Sequence, residues 1–247
     1  SDLLMTYCVA MRLSDGLVFA SDSRTNAGVD HIATFKKLHV FSKEGERVLV
    51  IQSAGNLATT QSIVSLLNER IQGQHTPNLM QMGTMYDAAT LVGETVREVI
   101  HRDSAAQQNS STIFGCNMLL GGQIGSEVPR LFHIYPEGNF IEATNDTPYF
   151  QIGESKYGKP IIDRVLTVDT PLEHAMCCAL ISIDSTLRSN LSVGMPLDVM
   201  IYRANTYDAS EQRRITENDP YFTGIRKAWS EGLVNTFRQL PPFPAQG

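Results

Sequence analysis

The sequence predicts an α+β fold, two sheets packed face to face with helices outside. The element order is strands, two helices, strands, two helices and a last strand. Tight-turn signals between the first apolar runs argue for antiparallel pairing. With 247 residues, 42% of them hydrophobic, the chain can bury about 70–75% of its unfolded surface and needs no disulfide or metal staple.

The elements follow in order. Residues 6–13 (TYCVAMRL) and 16–22 (GLVFASD) are short apolar runs parted by Ser14-Asp15-Gly16, and Asp-Gly is a strong hairpin signal. Residues 38–41 and 48–53 repeat the arrangement around Lys43-Glu44-Gly45-Glu46. Helical periodicity marks residues 56–72, through Leu57, Ile63, Val64, Leu67 and Ile71, and residues 86–102, through Ala89, Val92, Val96 and Val99. The stretch 73–82, carrying Pro77, is their connecting loop. Strands return at 112–120, 130–134, 139–142 and 149–152, with 121–129 and Pro136-Glu137-Gly138 as turns. Residues 156–165 and 172–190 are helices, the second with Thr170 as N-cap and Pro171 as its first residue. One more strand covers 197–203. From Asn205 on the chain is polar, with a helix expected at 223–237 and a tail through Pro241-Pro242-Phe243-Pro244.

Composition excludes several function classes. Twenty Lys and Arg against 26 Asp and Glu give a net charge of −6, which argues against a nucleic-acid binder. No apolar run approaches the ~18 residues of a membrane helix. Residues 1–5 read as an expression leader ahead of a native start at Met5, and they lack the basic and apolar regions of a secretory signal. Four cysteines (Cys8, Cys116, Cys177, Cys178) without a C-x-x-C spacing read as reduced, mostly buried thiols of a cytoplasmic protein.

Most motifs carry no chemistry. The six histidines show no metal-ligand spacing. The run from Gly153 to Pro160 is nearly a phosphate loop, but Pro160 stands where a Mg²⁺-binding hydroxyl belongs, so it reads as a strand-to-helix turn. There is no G-x-S-x-G elbow. Thr6 is different. Loss of Met5 would free a residue holding both a nucleophilic Oγ and an α-amine whose reference pKa of about 7.7–8.0 suits a general base.

Around Thr6 the segments Gly16-Leu-Val-Phe-Ala-Ser-Asp22-Ser-Arg24-Thr-Asn-Ala-Gly28, Phe35-Lys36-Lys37-Leu38 and Ser53-Ala54-Gly55 resemble the proteasome β-subunit family. The chain is most similar to its bacterial Anbu (ancestral β subunit) branch, which Gln151–Pro160 and Asp184–Gly194 also resemble. The likeness runs from Met5 to about Tyr202. It implies the four-layer αββα sandwich of N-terminal-nucleophile hydrolases and threonine-type peptide-bond hydrolysis by subunits built around a chamber.

Carried over by position, Thr6 matches the nucleophile, Asp22 the aspartate closing the second strand, and Lys37 the buried lysine, with Lys36 less suited. The interval from Asp22 to Lys37 is 15 residues, one shorter than the family's usual. A lysine ammonium near Thr6 Oγ would favour the alkoxide, and Asp22 would hold that ammonium charged. Gly55 matches the oxyanion-hole glycine, where a side chain would obstruct substrate. Two departures stand out. The family's Gly-Ser-Gly turn is Gly153-Glu154-Ser155 here, leaving open whether Glu154 or Ser155 takes the serine's place. Its Asp-x-x-Ser becomes Ser189-Asn190-Leu191-Ser192, keeping the serine and losing the carboxylate.

The expectation is therefore a threonine-type peptidase at residues 6–204, inactive while residues 1–5 remain because an amide nitrogen is no base. Met5 also stands where autoprocessing sites carry Gly. The other reading is a chamber-forming or peptide-binding scaffold with weak turnover. The resemblance implies a ring or helical assembly of identical subunits acting on peptides or proteins, with no cofactor, metal, nucleic acid or membrane. No unfoldase-docking signal identifies an ATPase partner. Loops near 24–34 and 53–60 would shape specificity, and residues 205–247 would form an extension at a subunit interface.

Overall fold

The computed structural model describes residues 6–26, 32–105 and 115–245. The expected leader, residues 27–31 of the expected specificity loop and the first residues of the strand expected from 112 lie outside them. The chain opens with β1 (Tyr7–Leu13), β2 (Gly16–Ser21), a short hairpin of β3 (Arg24–Asn26) and β4 (Ile32–Thr34), then β5 (Leu38–Lys43) and β6 (Arg47–Gly55). Helices α1 (Leu57–Gln72) and α2 (Met85–Ala105) follow, with one 3₁₀ turn between them. Next come β7 (Cys116–Ile124), β8 (Arg130–Ile134), β9 (Phe140–Glu142) and β10 (Tyr149–Gly153). Helices α3 (Lys159–Val165) and α4 (Leu172–Ser189) lead to β11 (Leu197–Arg203), β12 (Gln212–Ile215) and α5 (Pro220–Gln239).

Two antiparallel five-stranded sheets result, ordered β10-β1-β2-β11-β12 and β5-β6-β7-β8-β9. Strand alternation sorts the side chains into layers, because successive residues point to opposite faces. On β1, Cys8 and Ala10 join Phe19, Val48, Val50 and Leu119 in the core between the sheets. Tyr7, Val9 and Met11 point the other way, onto Ala175, Ala179 and Ile183 of α4. On β6, Leu49 and Ile51 pack outward against Ile63, Val92 and Val96 of α1 and α2. Each fully buried Leu, Ile or Phe contributes about 1.5–3 kcal/mol. These three apolar layers hold four layers of structure, the αββα sandwich.

Several boundaries differ from expectation, each for a local reason. Gly121 and Gly122, expected in a turn, lie inside β7. A Cβ at Gly121 would come within 2.6 Å of the Phe19 ring, and one at Gly122 within 2.1 Å of the Val48 carbonyl, so the glycines permit close packing. The turn begins at Gly125, where φ is +56°. Asn56 is the N-cap of α1, accepting from the Thr59 N–H at 3.1 Å. Pro171, not Thr170, caps α4.

The polar C-terminal stretch contains β12, which has no apolar alternation to reveal it. Ile215 and Phe222 from this stretch enter the core. Buried Asp184 of α4 accepts from Arg226 of α5 at 2.6 Å. All four cysteines are free. Among the described residues no helix is long and apolar enough to cross a membrane.

Candidate active site

Thr6 sits just before β1, and β1 is held on both sides, by β2 and by β10. Its carbonyl accepts the Glu154 N–H at 2.8 Å. The adjoining Gly153 has φ +84°, and a Cβ there would lie 1.9 Å from the Thr6 carbonyl oxygen. Only glycine lets the β10 backbone come this close.

Asp22 follows β2 and is fully buried. Its backbone N–H donates to the Tyr7 carbonyl at 3.0 Å. Its side chain answers: Oδ1 accepts the Tyr7 N–H at 3.0 Å and the Lys37 ammonium at 2.7 Å, while Oδ2 accepts the Gly194 N–H at 3.2 Å. Burial pushes the Asp22 carboxyl above the usual carboxylate range. Lys37, the Tyr7 N–H and the Gly194 N–H oppose that shift. Lys37 is also buried, and it donates to the Arg24 carbonyl at 2.6 Å. Its backbone is fixed by the Ser53 N–H, which donates to the Lys37 carbonyl at 3.1 Å. Lys36, by contrast, is exposed.

A cleft of about 480 Å³ opens over these groups, lined by Thr6, Lys37, His39, Ser53, Gly55 and Thr60 among others. Gly55 has φ +129°, and a Cβ there would meet the Gly115 carbonyl at 2.4 Å and Cys116 Cα at 2.8 Å. The expected reason for this glycine, room for substrate, is therefore not its first constraint: contact with the start of β7 already demands it. Cys8, two residues beyond Thr6, donates to the Ser53 carbonyl at 3.7 Å. Burial pushes its thiol far up, so it stays protonated and is a poor nucleophile. Burial also lowers the His39 imidazole, with Lys36 adding to the effect.

The remaining expected residues separate. Glu154 is buried, with Oε1 accepting the Lys156 N–H at 3.1 Å and Oε2 accepting Asn190 Nδ2 at 3.3 Å. The Ser155 carbonyl instead accepts the Lys159 N–H at 3.1 Å, at the entry to α3. Ser189 is exposed at the end of α4. Ser192 donates through its N–H at 3.0 Å and its hydroxyl at 2.5 Å to Asn190 Oδ1.

Asn190 and the Gly194 N–H were missed by sequence reasoning. Asn190 could have been suspected as a polar residue ending a helix one place from an absent carboxylate. A backbone N–H leaves no sequence signal. At Gly194 the Arg24 guanidinium packs over the backbone, its Nε 2.2 Å from where a Cβ would stand.

Comparison with known proteins gives a consistent result. The model of the family described as Proteasome subunit matches residues 6–201. Anbu (ancestral beta-subunit) from Yersinia bercovieri is 69% identical, with 98% of this chain and 100% of that one covered and a TM-score of 0.92. The subunit in the helical assembly of the Anbu complex from Pseudomonas aeruginosa is 57% identical, over 97% and 99% of the two chains, with a TM-score of 0.94. The proteasome subunit beta of Haloquadratum walsbyi is 23% identical over 219 residues, 86% of this chain and 79% of that one.

Proposed function

The chain belongs to the proteasome subunit family, in its Anbu branch, and on that premise we propose that it is a threonine-type peptidase with Thr6 as nucleophile. The observation that carries this reading is a single carboxylate oxygen. Asp22 Oδ1 binds the Lys37 ammonium at 2.7 Å and the N–H of the residue following Thr6 at 3.0 Å. Lys37 and the nucleophile's backbone are thereby referred to one buried point beneath the cleft that Thr6 lines.

With residues 1–5 removed, the Thr6 α-amine is a base on the same residue as the hydroxyl. As Oγ bonds to the scissile carbonyl carbon, the hydroxyl proton passes to this amine and the carbonyl electrons move onto oxygen. The Lys37 ammonium lowers the cost of negative charge on Oγ, and the backbone N–H at Gly55 faces the oxyanion. The Thr6 α-ammonium formed in that step, not Lys37, then gives its proton to the leaving nitrogen as the C–N bond breaks, which restores the neutral amine. Water hydrolyses the resulting ester by the same route, with the amine again as base. While residues 1–5 remain, the nitrogen is an amide and cannot take the proton.

Assembly is part of the proposal. The exposed side of α5 carries Leu233, Val234 and Phe237, with exposed Leu240 at its C-cap, and the Pseudomonas relative forms a helical assembly. A second copy of this chain would cover that face.

The test is to prepare protein starting at Thr6, beside a Thr6→Ala control, and assay both against peptide libraries. Turnover by the first and not the second supports the peptidase. Equal rates leave a scaffold.

A further inference from the structure

We propose that Glu154 supplies the carboxylate that positions the Thr6 amine and stabilises its protonated form, replacing the carboxylate absent at Ser189. The inference rests on the peptidase reading for its purpose, but its geometry stands apart from turnover.

The placement is fixed first. The β1–β10 register pairs Tyr7 with Gly153, and the 2.8 Å bond from the Glu154 N–H to the Thr6 carbonyl carries it one residue further. Glu154 is therefore bonded backbone to backbone with Thr6, just past the last pair of the two strands. Gly153 presses this turn against Thr6, as the 1.9 Å approach of its missing Cβ shows.

The second observation is an imbalance of charge. Glu154 is 6% exposed, and its carboxylate takes two neutral donors, the Lys156 N–H and Asn190 Nδ2. Among the described residues it forms no ion pair with a cation. A buried carboxylate in that state is costly. Exposing the Thr6 amine creates a cation on the residue whose carbonyl the Glu154 N–H holds. Asn190 is locked for the task, because its Oδ1 is occupied by the Ser192 N–H and hydroxyl, which turns its amide nitrogen toward Glu154. The Ser192-to-Asn190-to-Glu154 chain thus ends at the nucleophile's backbone.

The other charges around Thr6 are already committed or turned away. Asp22 and Lys37 pair with each other. The Arg24 guanidinium donates to the Leu191 carbonyl at 2.7 Å. Lys156 and Arg188 are exposed, and Arg188 pairs with Asp184. Glu154 is a positioning residue in this scheme, acting through the amine.

The test is a titration of the Thr6 α-amine in the chain beginning at Thr6, by trace acetylation with acetic anhydride across pH and mass spectrometry of the N-terminal peptide. An opposite charge at close range raises an amine's titration midpoint by about 1–3 pH units. Glu154→Gln should therefore move the midpoint down by about one unit or more, and Asn190→Ala should move it down by less. An unmoved midpoint in Glu154→Gln overturns the proposal. Should that variant fail to fold, an unmoved midpoint in Asn190→Ala does the same. The titration needs no turnover, so this failure is distinct from equal hydrolysis by the Thr6→Ala control, which would sink the peptidase reading alone.

Discussion

Replacing Gly153 by alanine tests how tightly the site depends on backbone approach. A Cβ at this position would lie 1.9 Å from the Thr6 carbonyl oxygen and 2.6 Å from its carbon, where real Cβ contacts under 3.0 Å are essentially never seen. The difference, 3.0 − 1.9, means that Thr6 or β10 must move by at least 1.1 Å. A misplacement of about 1 Å in a catalytic group costs roughly 10²-fold in rate. The same variant must also hold alanine at φ +84°, which costs about 1–2 kcal/mol and lowers Tm by about 2–8 °C in a chain of this size. Gly125→Ala separates the two effects, because Gly125 has φ +56° with nothing within 4 Å of a Cβ. The assay is peptide hydrolysis by chains beginning at Thr6, with Tm from circular dichroism. Gly125→Ala should lose stability and keep its rate; Gly153→Ala should lose both. A Gly153→Ala protein with unaltered rate would refute the claim that this approach positions the nucleophile.

Three further outcomes are expected. Lys37→Met should lower the hydrolysis rate by about 10²–10³-fold and, by leaving buried Asp22 without its cation, lower stability by about 3–5 kcal/mol in chemical denaturation; a rate within a factor of three of the parent would remove Lys37 from the mechanism. Burial holds the His133 imidazole down at about 4 against 6.5, so the unfolded chain binds the proton first. Its contribution is complete above pH 6.5 and is lost as pH falls toward 4, so Tm should drop over that window less steeply in His133→Gln, and parallel profiles would contradict this. Leu233→Glu with Phe237→Glu should shrink the assembly measured by light scattering while leaving the far-ultraviolet spectrum intact; unchanged mass would show that α5 does not face a second copy.

Much of the fold was legible because its signals are local. The Asp15-Gly16 turn, the 3.6-residue spacing of Ile63, Val64 and Leu67, and the strand Leu197–Arg203 each follow from residues near one another. What escaped depended on partners far along the chain. Gly121 and Gly122 read as a turn because glycine is ambiguous until Phe19 and Val48 are seen against them. Strand β12, with Arg213 and Arg214, is drawn into the sheet by β11 and by the pairing of Arg214 with Asp198 at 2.9 Å. At the site, the residue types of Thr6, Asp22 and Lys37 announced their chemistry, and the structure brings Asp22 and Lys37 to 2.7 Å. The choice between Glu154 and Ser155 could not be made from sequence, because it turns on the backbone path beyond the Tyr7–Gly153 pair, where φ at Gly153 is +84°.

The most direct test of the account is reaction of the chain beginning at Thr6 with a peptide epoxyketone, a reagent that engages a hydroxyl and an α-amine of one residue together. The account predicts one covalent adduct per chain, located at residue 6 by mass spectrometry through both Oγ and the amine, and none when residues 1–5 are attached or when Thr6 is alanine. Absence of an adduct in the chain beginning at Thr6, or an equal adduct in the alanine variant, would contradict it.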